Sequence, residues 1–215
     1  LFILFIYIIC FKFIYKVIFF HNIYMHTTIK NLLDIESKIN NKAKIIAVSK
    51  TFPIDKILPL IEHGHTDFGE NKVQEATEKW TEIKKINSQI KLHMIGKLQT
   101  NKVKFAVQIF DYIHSVDSEK LAKKIADESK KLNKKIKIFI QVNIGDEEQK
   151  SGINKNELDQ LVFYSKEIGL NVIGLMCIPP ANIDTKGYFE EMNKLNKALG
   201  FTELSMGMSS DFDIA

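Results

Sequence analysis

Lys50 closes the run Lys44-Ile-Ile-Ala-Val-Ser-Lys50, which has the length and apolar content of a short buried strand. An amine at the carboxyl end of such a strand has apolar neighbours that lower its pKa. A neutral amine can add to an aldehyde and form a Schiff base. The plain alternative is a solvated lysine just past a strand. A second stretch with chemical potential is Ser205-Met-Gly-Met-Ser-Ser-Asp211, small and rich in hydroxyls, placed where a strand would run into a helix. Backbone N–H groups and the helix dipole at such a turn favour an anion, although a simple helix cap has the same composition.

These two stretches need a scaffold that brings them together. Apolar runs end near Val48, Phe68, Ile95, Val116, Val142, Met176 and Ser205, and each except the last is followed by a polar segment of helical period. Successive strand ends are about 26 residues apart, the length of a βα unit. The expected fold is therefore α/β, a TIM (β/α) barrel whose site residues gather at the carboxyl ends of parallel strands. A doubly wound open sheet is the alternative, but no glycine-rich dinucleotide fingerprint follows the first strand.

The strand ends offer Ser49 and Lys50; Gly69, Glu70 and Asn71; Gly96; Ser115 and Asp117; Asn143; Pro179 and Pro180; Ser205 and Gly207. Asp117 and Ser118 before Glu119 read as a helix cap, and Gly69 and Gly96 as turn geometry. In a closed barrel, one strand separates the first from the seventh. An aldehyde on Lys50 would then place a phosphate tail against Ser205 to Ser210. Pyridoxal 5′-phosphate (PLP) carries both functions.

Composition narrows the alternatives. The 215 residues are 45% hydrophobic and 26% charged, enough for one domain with a sizeable core. Net charge is +4, yet all 30 basic residues are lysine, interleaved with 26 acids. Without arginine or a basic block, nucleic-acid recognition is a poor fit. Cys10 and Cys177 are too few for a disulfide framework or a thiolate metal site, and the expected location is the cytoplasm. His63-Gly-His65 with Glu62 and Asp67 has metal-ligand chemistry but precedes the second strand, on the face away from the site, and reads as a surface loop. No Ser-His-Asp set assembles from strand ends.

Residues 1–24 stand apart, being almost wholly apolar except for Lys12 and Lys16. They make a poor membrane span, because each central lysine costs roughly 2.5–3.5 kcal/mol, and they lack the layout of a signal peptide. Met25 reads as the start of the domain, with Thr27 and Thr28 as cap candidates and Ile29, Leu32, Leu33 and Ile39 at helical spacing. Residues 25–215 then form the barrel domain and 1–24 an apolar extension, with a membrane anchor as the minor alternative.

Several segments carry a resemblance. Ala47-Val-Ser-Lys50-Thr, Phe68-Gly-Glu-Asn71-Lys-Val-Gln-Glu75, His93-Met-Ile-Gly96-Lys-Leu-Gln-Thr-Asn-Lys102, Lys150-Ser-Gly152, Gly174-Leu-Met-Cys-Ile-Pro179 and Leu204-Ser-Met-Gly-Met-Ser-Ser-Asp211 together resemble the PLP homeostasis protein family. The resemblance implies a barrel like the amino-terminal domain of alanine racemases, with Lys50 as the Schiff-base lysine. It implies Asn71 beside the cofactor and Ser205, Gly207 and Met208 lining the phosphate. It also implies a role in buffering PLP and passing it to PLP-dependent apoenzymes, with no established turnover; the chain is expected to be a monomer.

His93, Gln99 and Asn101 fall in one of these motifs without an assigned role. Two departures stand out: Lys97, where proline or histidine is expected, and the lack of an Arg-x-Gly segment on an eighth strand. The chain is accordingly expected to hold seven of eight strands. The competing function is an amino-acid racemase. Racemisation needs a second base on the opposite cofactor face, which alanine racemases take from a tyrosine of an added domain. Tyr112, Tyr164 and Tyr188 are expected at a strand start or on helices. A PLP-free structural or nucleic-acid-binding role is the third alternative.

Overall fold

A computed structural model describes residues 26–40, 42–147, 151–181 and 183–215. The expectations for residues 1–24, Met25 and Lys150 lie outside the described residues. The described residues divide into two units, one of residues 26–43 and 55–65, the other of 44–54 and 66–215.

The smaller unit contains helix α1 (Thr27–Ile39) and, from Asp55 onward, helix α2 (Ile54–Glu62). His26, not a threonine, caps α1. Its Nδ1 accepts from the Thr28 N–H at 3.3 Å, and Thr27 and Thr28 are already helical. Leu32, Ile57 and Leu60 are the buried apolar residues of these helices.

The larger unit is a seven-stranded parallel sheet in sequential order. The strands are β1 (Ala47–Val48), β2 (Asp67–Glu70), β3 (Lys91–Met94), β4 (Tyr112–Val116), β5 (Lys137–Val142), β6 (Asn171–Cys177) and β7 (Glu203–Ser205). Between β2 and β7 run α3 (Val73–Ile86), α4 (Val103–Ile109), α5 (Glu119–Lys131), α6 (Leu158–Glu167) and α7 (Lys186–Ala198). Consecutive parallel strands need a crossover, and each helix supplies one. Ser118 caps α5 by accepting from the Leu121 N–H at 3.4 Å, in line with the sequence reading.

Period-two alternation sorts the strands into two faces. One face carries Phe68, Leu92, Met94, Ile113, Ile138 and Ile140, all fully buried with apolar residues of the helices. Phe68 meets Trp80 of α3 with ring centroids 4.7 Å apart. Phe105 of α4 is 50% exposed.

The opposite face carries Asp67, His93, His114 and Ser205, which bond to one another across the strands. A hydrogen bond of 2.7 Å joins His114 on β4 to Ser205 on β7. Three strand spacings of a flat sheet would hold those strands about 14 Å apart. The sheet therefore curls into an open barrel wall with this polar row on its concave side. Among the described residues β1 and β7 are its two edges and do not pair.

Candidate functional site at the ends of β1, β2 and β7

The structure places Lys50 just past β1, as its sequence position requires, but not in an apolar pocket. It is exposed, as is Val48 before it at 44%. The reason is local. β1 is only two residues long and lies at a sheet edge, so no neighbouring strand covers it on that side. The Lys50 amine makes no hydrogen bond or ion pair among the described residues, and its backbone is held from both sides.

Before it, Ser49 donates its backbone N–H to Gly69 O at 2.9 Å and its hydroxyl to Glu70 Oε1 at 2.8 Å. After it, Thr51 donates its N–H to Glu75 Oε1 at 2.6 Å, in a left-handed conformation with φ of 65°. Lys79 ties the two anchors together, donating to Ser49 O at 2.7 Å, Glu70 Oε1 at 2.9 Å and Glu75 Oε1 at 3.1 Å. Glu70 is fully buried and also accepts from Trp80 Nε1 at 2.9 Å, while its Oε2 has no hydrogen-bond partner. Burial pushes the Glu75 carboxyl upward, but the Thr51 N–H and the Lys79 ammonium outweigh it and hold it below its ordinary value. One lysine, Lys79, is thus consumed as structural charge, and its neighbour in space, Lys50, is left free to react.

Asn71 follows β2 and is half-buried. Gly96, at the end of β3, abuts it closely. A Cβ there would overlap the Asn71 backbone, so close approach rather than turn geometry explains this glycine. Gln99 and Asn101 lie beyond it, Gln99 at the start of a single 3-10 turn (Thr100–Lys102) and Asn101 within that turn, and both are exposed, as is Lys97. Asn143 at the end of β5 closes its own loop, donating to Glu147 O at 2.9 Å.

At the end of β7, Ser205 is half-buried, Gly207 takes φ of 85° and Met208 is 52% exposed. The chain then makes one helical turn, with Phe212 N–H donating to Met208 O at 2.9 Å and Ala215 N–H to Asp211 O at 3.0 Å. The Met208 N–H is committed to the Asp211 carboxylate at 2.6 Å. Among the described residues the N–H groups of Gly207, Ser209 and Ser210 remain without acceptors, a donor set suited to an anion.

Behind Ser205 lies an arrangement that sequence reasoning missed. Asp67, His93 and His114 form a buried chain ending on the Ser205 hydroxyl, through contacts of 3.0, 2.9 and 2.7 Å. Burial pushes the Asp67 carboxyl upward, but His93, the Thr66 hydroxyl and Lys44 outweigh it and hold it well below the usual carboxylate range. Burial lowers both imidazoles, His114 more strongly, with the His93 charge as a second cause there. His93 stacks on Tyr112 at 4.2 Å and His114 on Phe139 at 4.4 Å. Asp67, weighed from sequence as a metal ligand with His63 and His65, belongs instead to this chain, and no three-ligand metal cluster occurs among the described residues.

The parallel sheet, the amine at the end of β1 and the anion turn at the end of β7 define a class: residues 23–212 match the alanine racemase N-terminal domain family. Within it, the chain belongs to the pyridoxal phosphate homeostasis protein family. It is 37% identical to the pyridoxal phosphate homeostasis protein of Aquifex aeolicus over 185 residues, 81% of this chain and 80% of that one. It is 32% identical to the Escherichia coli protein of that name over 211 residues, covering 89% and 90%. The fold is similar to PipY of Synechococcus elongatus with PLP bound, at TM-score 0.76 and 33% identity over 86% of this chain and 91% of that one. Alanine racemase of Clostridium difficile shares the fold at TM-score 0.67 and 15% identity, over 85% of this chain and 50% of that one. No described helix is long and apolar enough to cross a membrane.

Proposed function

We propose that this chain binds PLP as a Schiff base on Lys50 and serves PLP homeostasis in the cytoplasm without catalytic turnover. The observation that carries the reading is the pairing of an uncommitted amine at the end of β1 with uncommitted N–H donors at the end of β7. PLP supplies an aldehyde and a phosphate, and this donor set answers both. Lys50 Nζ condenses with the aldehyde, and one water leaves. Asn71 flanks the ring, and Ser205, Gly207 and Met208 line the phosphate. The domain comprises residues 25–215 and acts as a monomer that passes PLP to PLP-dependent apoenzymes.

Relatives named as PLP homeostasis proteins and a fold neighbour with PLP bound support this reading. Against the racemase alternative, Tyr112 is stacked on His93, and Tyr164 and Tyr188 lie on α6 and α7. None is offered here as the second base on the opposite face of the cofactor.

The test is borohydride trapping after incubation with PLP, followed by peptide mapping. Label on Lys50, lost in Lys50→Ala, is the expected result. Because Lys50 is exposed and unpaired, the variant should unfold within about 0.5 kcal/mol of wild type, so loss of label would not reflect misfolding. Label that persists on another lysine refutes the assignment, and steady racemisation of an amino acid dependent on Lys50 refutes the lack of turnover.

A further inference from the structure

The direction of each hydrogen bond in the buried chain follows from its charged end. Asp67 is ionised and can only accept, so His93 donates to it through Nε2–H. A neutral His93 then accepts at Nδ1, which requires His114 to donate from Nε2–H. A neutral His114 in turn accepts at Nδ1, and the Ser205 hydroxyl must donate to it. With its single proton spent inward, Ser205 presents only lone pairs to a ligand. A phosphate dianion offers only acceptors, so in this state the two repel.

The surroundings sharpen the conflict. The same turn already holds the Asp211 carboxylate on the Met208 N–H. The charged and titratable groups facing the row are Lys44, 3.5 Å from Asp67 at the start of β2, Asp111 before β4, Tyr112 stacked on His93, and Lys137 over Tyr112. None of them touches Ser205 among the described residues.

The geometry points to a proton-coupled phosphate switch: binding of a phosphate monoester dianion against Ser205 draws one proton from solvent into the histidine pair and reverses the two hydrogen bonds that end the chain. In the bound state His93 is doubly protonated, donating from Nε2 to Asp67 and from Nδ1 to His114. His114 accepts at Nε2 and donates from Nδ1 to the Ser205 oxygen, and the hydroxyl proton turns outward to the phosphate. The balance is one proton in and no bond made or broken other than hydrogen bonds. The positive charge lies between the Asp67 carboxylate and the incoming dianion. His93 and His114 are positioning residues that set whether Ser205 donates or repels.

This inference rests on the phosphate being held at the β7 turn, and its test separates the two. The probe is 4-deoxypyridoxine 5′-phosphate, which keeps the ring and phosphate and lacks the aldehyde, so Lys50 chemistry does not contribute. In protein labelled with 15N at histidine, the ligand-free state should show His93 and His114 as neutral Nε2–H tautomers. Saturation should convert His114 to the Nδ1–H tautomer and His93 to imidazolium.

Calorimetry in buffers of different ionisation enthalpy should count one more proton taken up by wild type than by Ser205→Ala, with Ser205→Thr restoring it. Above about pH 7, where the phosphate is already a dianion, wild-type affinity should fall up to about tenfold per pH unit relative to Ser205→Ala. Binding with unchanged histidine resonances, or with equal proton uptake in Ser205→Ala, overturns the switch and leaves the phosphate site standing. Failure of the probe to bind at any pH overturns both.

Discussion

The ends of β1 and β7 hold their candidate groups by opposite means. Around Lys50 the charges are fixed. Glu70, Glu75 and Lys79 form an ionic clamp whose hydrogen bonds end on Ser49 and Thr51 and leave the Lys50 side chain free. Behind Ser205 the charge is movable, because a carboxylate and two neutral imidazoles share hydrogen bonds whose direction depends on a single proton. A covalent attachment point needs an amine in one place with its lone pair uncommitted, and static charge achieves that. A phosphate contact must switch between bound and free, and a titratable row can respond to the ligand's charge.

The comparison breaks most visibly at Glu70. Removing it in Glu70→Ala leaves the Lys79 ammonium, 9% exposed, with Glu75 and Ser49 O alone, leaves the Ser49 hydroxyl only its 3.4 Å contact to Gly69 O and strands the Trp80 N–H. The expected loss is about 1.5–3 kcal/mol, the usual cost of losing hydrogen bonds to a charged group and stranding a buried donor. Glu70→Gln keeps an acceptor oxygen and should lose less. Urea unfolding with the slope held equal checks both, and a loss below about 1 kcal/mol for Glu70→Ala would show that the clamp is solvated.

The second break is in pH. The histidines of the row have folded pKa values below their unfolded ones, so as pH falls through the ordinary histidine value, about 6.5, the unfolded chain takes up protons the native state refuses. Stability is therefore full above that value and declines below it. Asp67 acts in the same direction at lower pH. Its folded pKa is depressed, so its contribution is present above the ordinary carboxylate value and is lost as pH falls toward the folded one. The midpoint of urea unfolding should drop from pH 7 to pH 5.5 in wild type and drop less in His114→Gln. Equal pH dependence in the two would mean His114 is not neutral in the folded state.

How far the sequence reached differs between these same regions. All seven strands end within two residues of their expected positions, because each is a short apolar run flanked by polar helical segments, and that period survives in any barrel. Lys50, Asn71, Ser205 and Gly207 were legible as strand-end residues for the same reason. The environment of Lys50 was not. Whether an apolar run is buried depends on its neighbours in the sheet, and β1 lies at an edge. The choice of Lys79 as the committed lysine depends on how α3 faces β2, which no local pattern states among so many lysines.

The polar row was hidden for a different reason. Asp67, His93, His114 and Ser205 lie on four different strands, and each alone reads as a polar residue at a strand. Only the parallel register, which sets His93 beside Gly69 and Tyr112, puts them on one face. A recurring titratable residue of the same inward phase in successive strands was the available signal.

The smallest effect sharpens the β1 side. Thr51 is β-branched and holds φ of 65°, a conformation costly for such a residue, at the position that follows Lys50. Its N–H is anchored to Glu75, whose low pKa reflects that contact. Strain that persists beside a candidate nucleophile has a purpose if it aims the preceding side chain. Thr51→Gly removes the Cβ penalty but frees the unfolded backbone, so these terms partly cancel and stability should change by no more than about 1 kcal/mol. The turn should loosen all the same, and PLP trapping on Lys50 should slow while the pH dependence of stability stays that of wild type. If trapping is as fast in Thr51→Gly as in wild type, the clamp holds Lys50 through Ser49 alone and the Thr51 conformation has no part in aiming it.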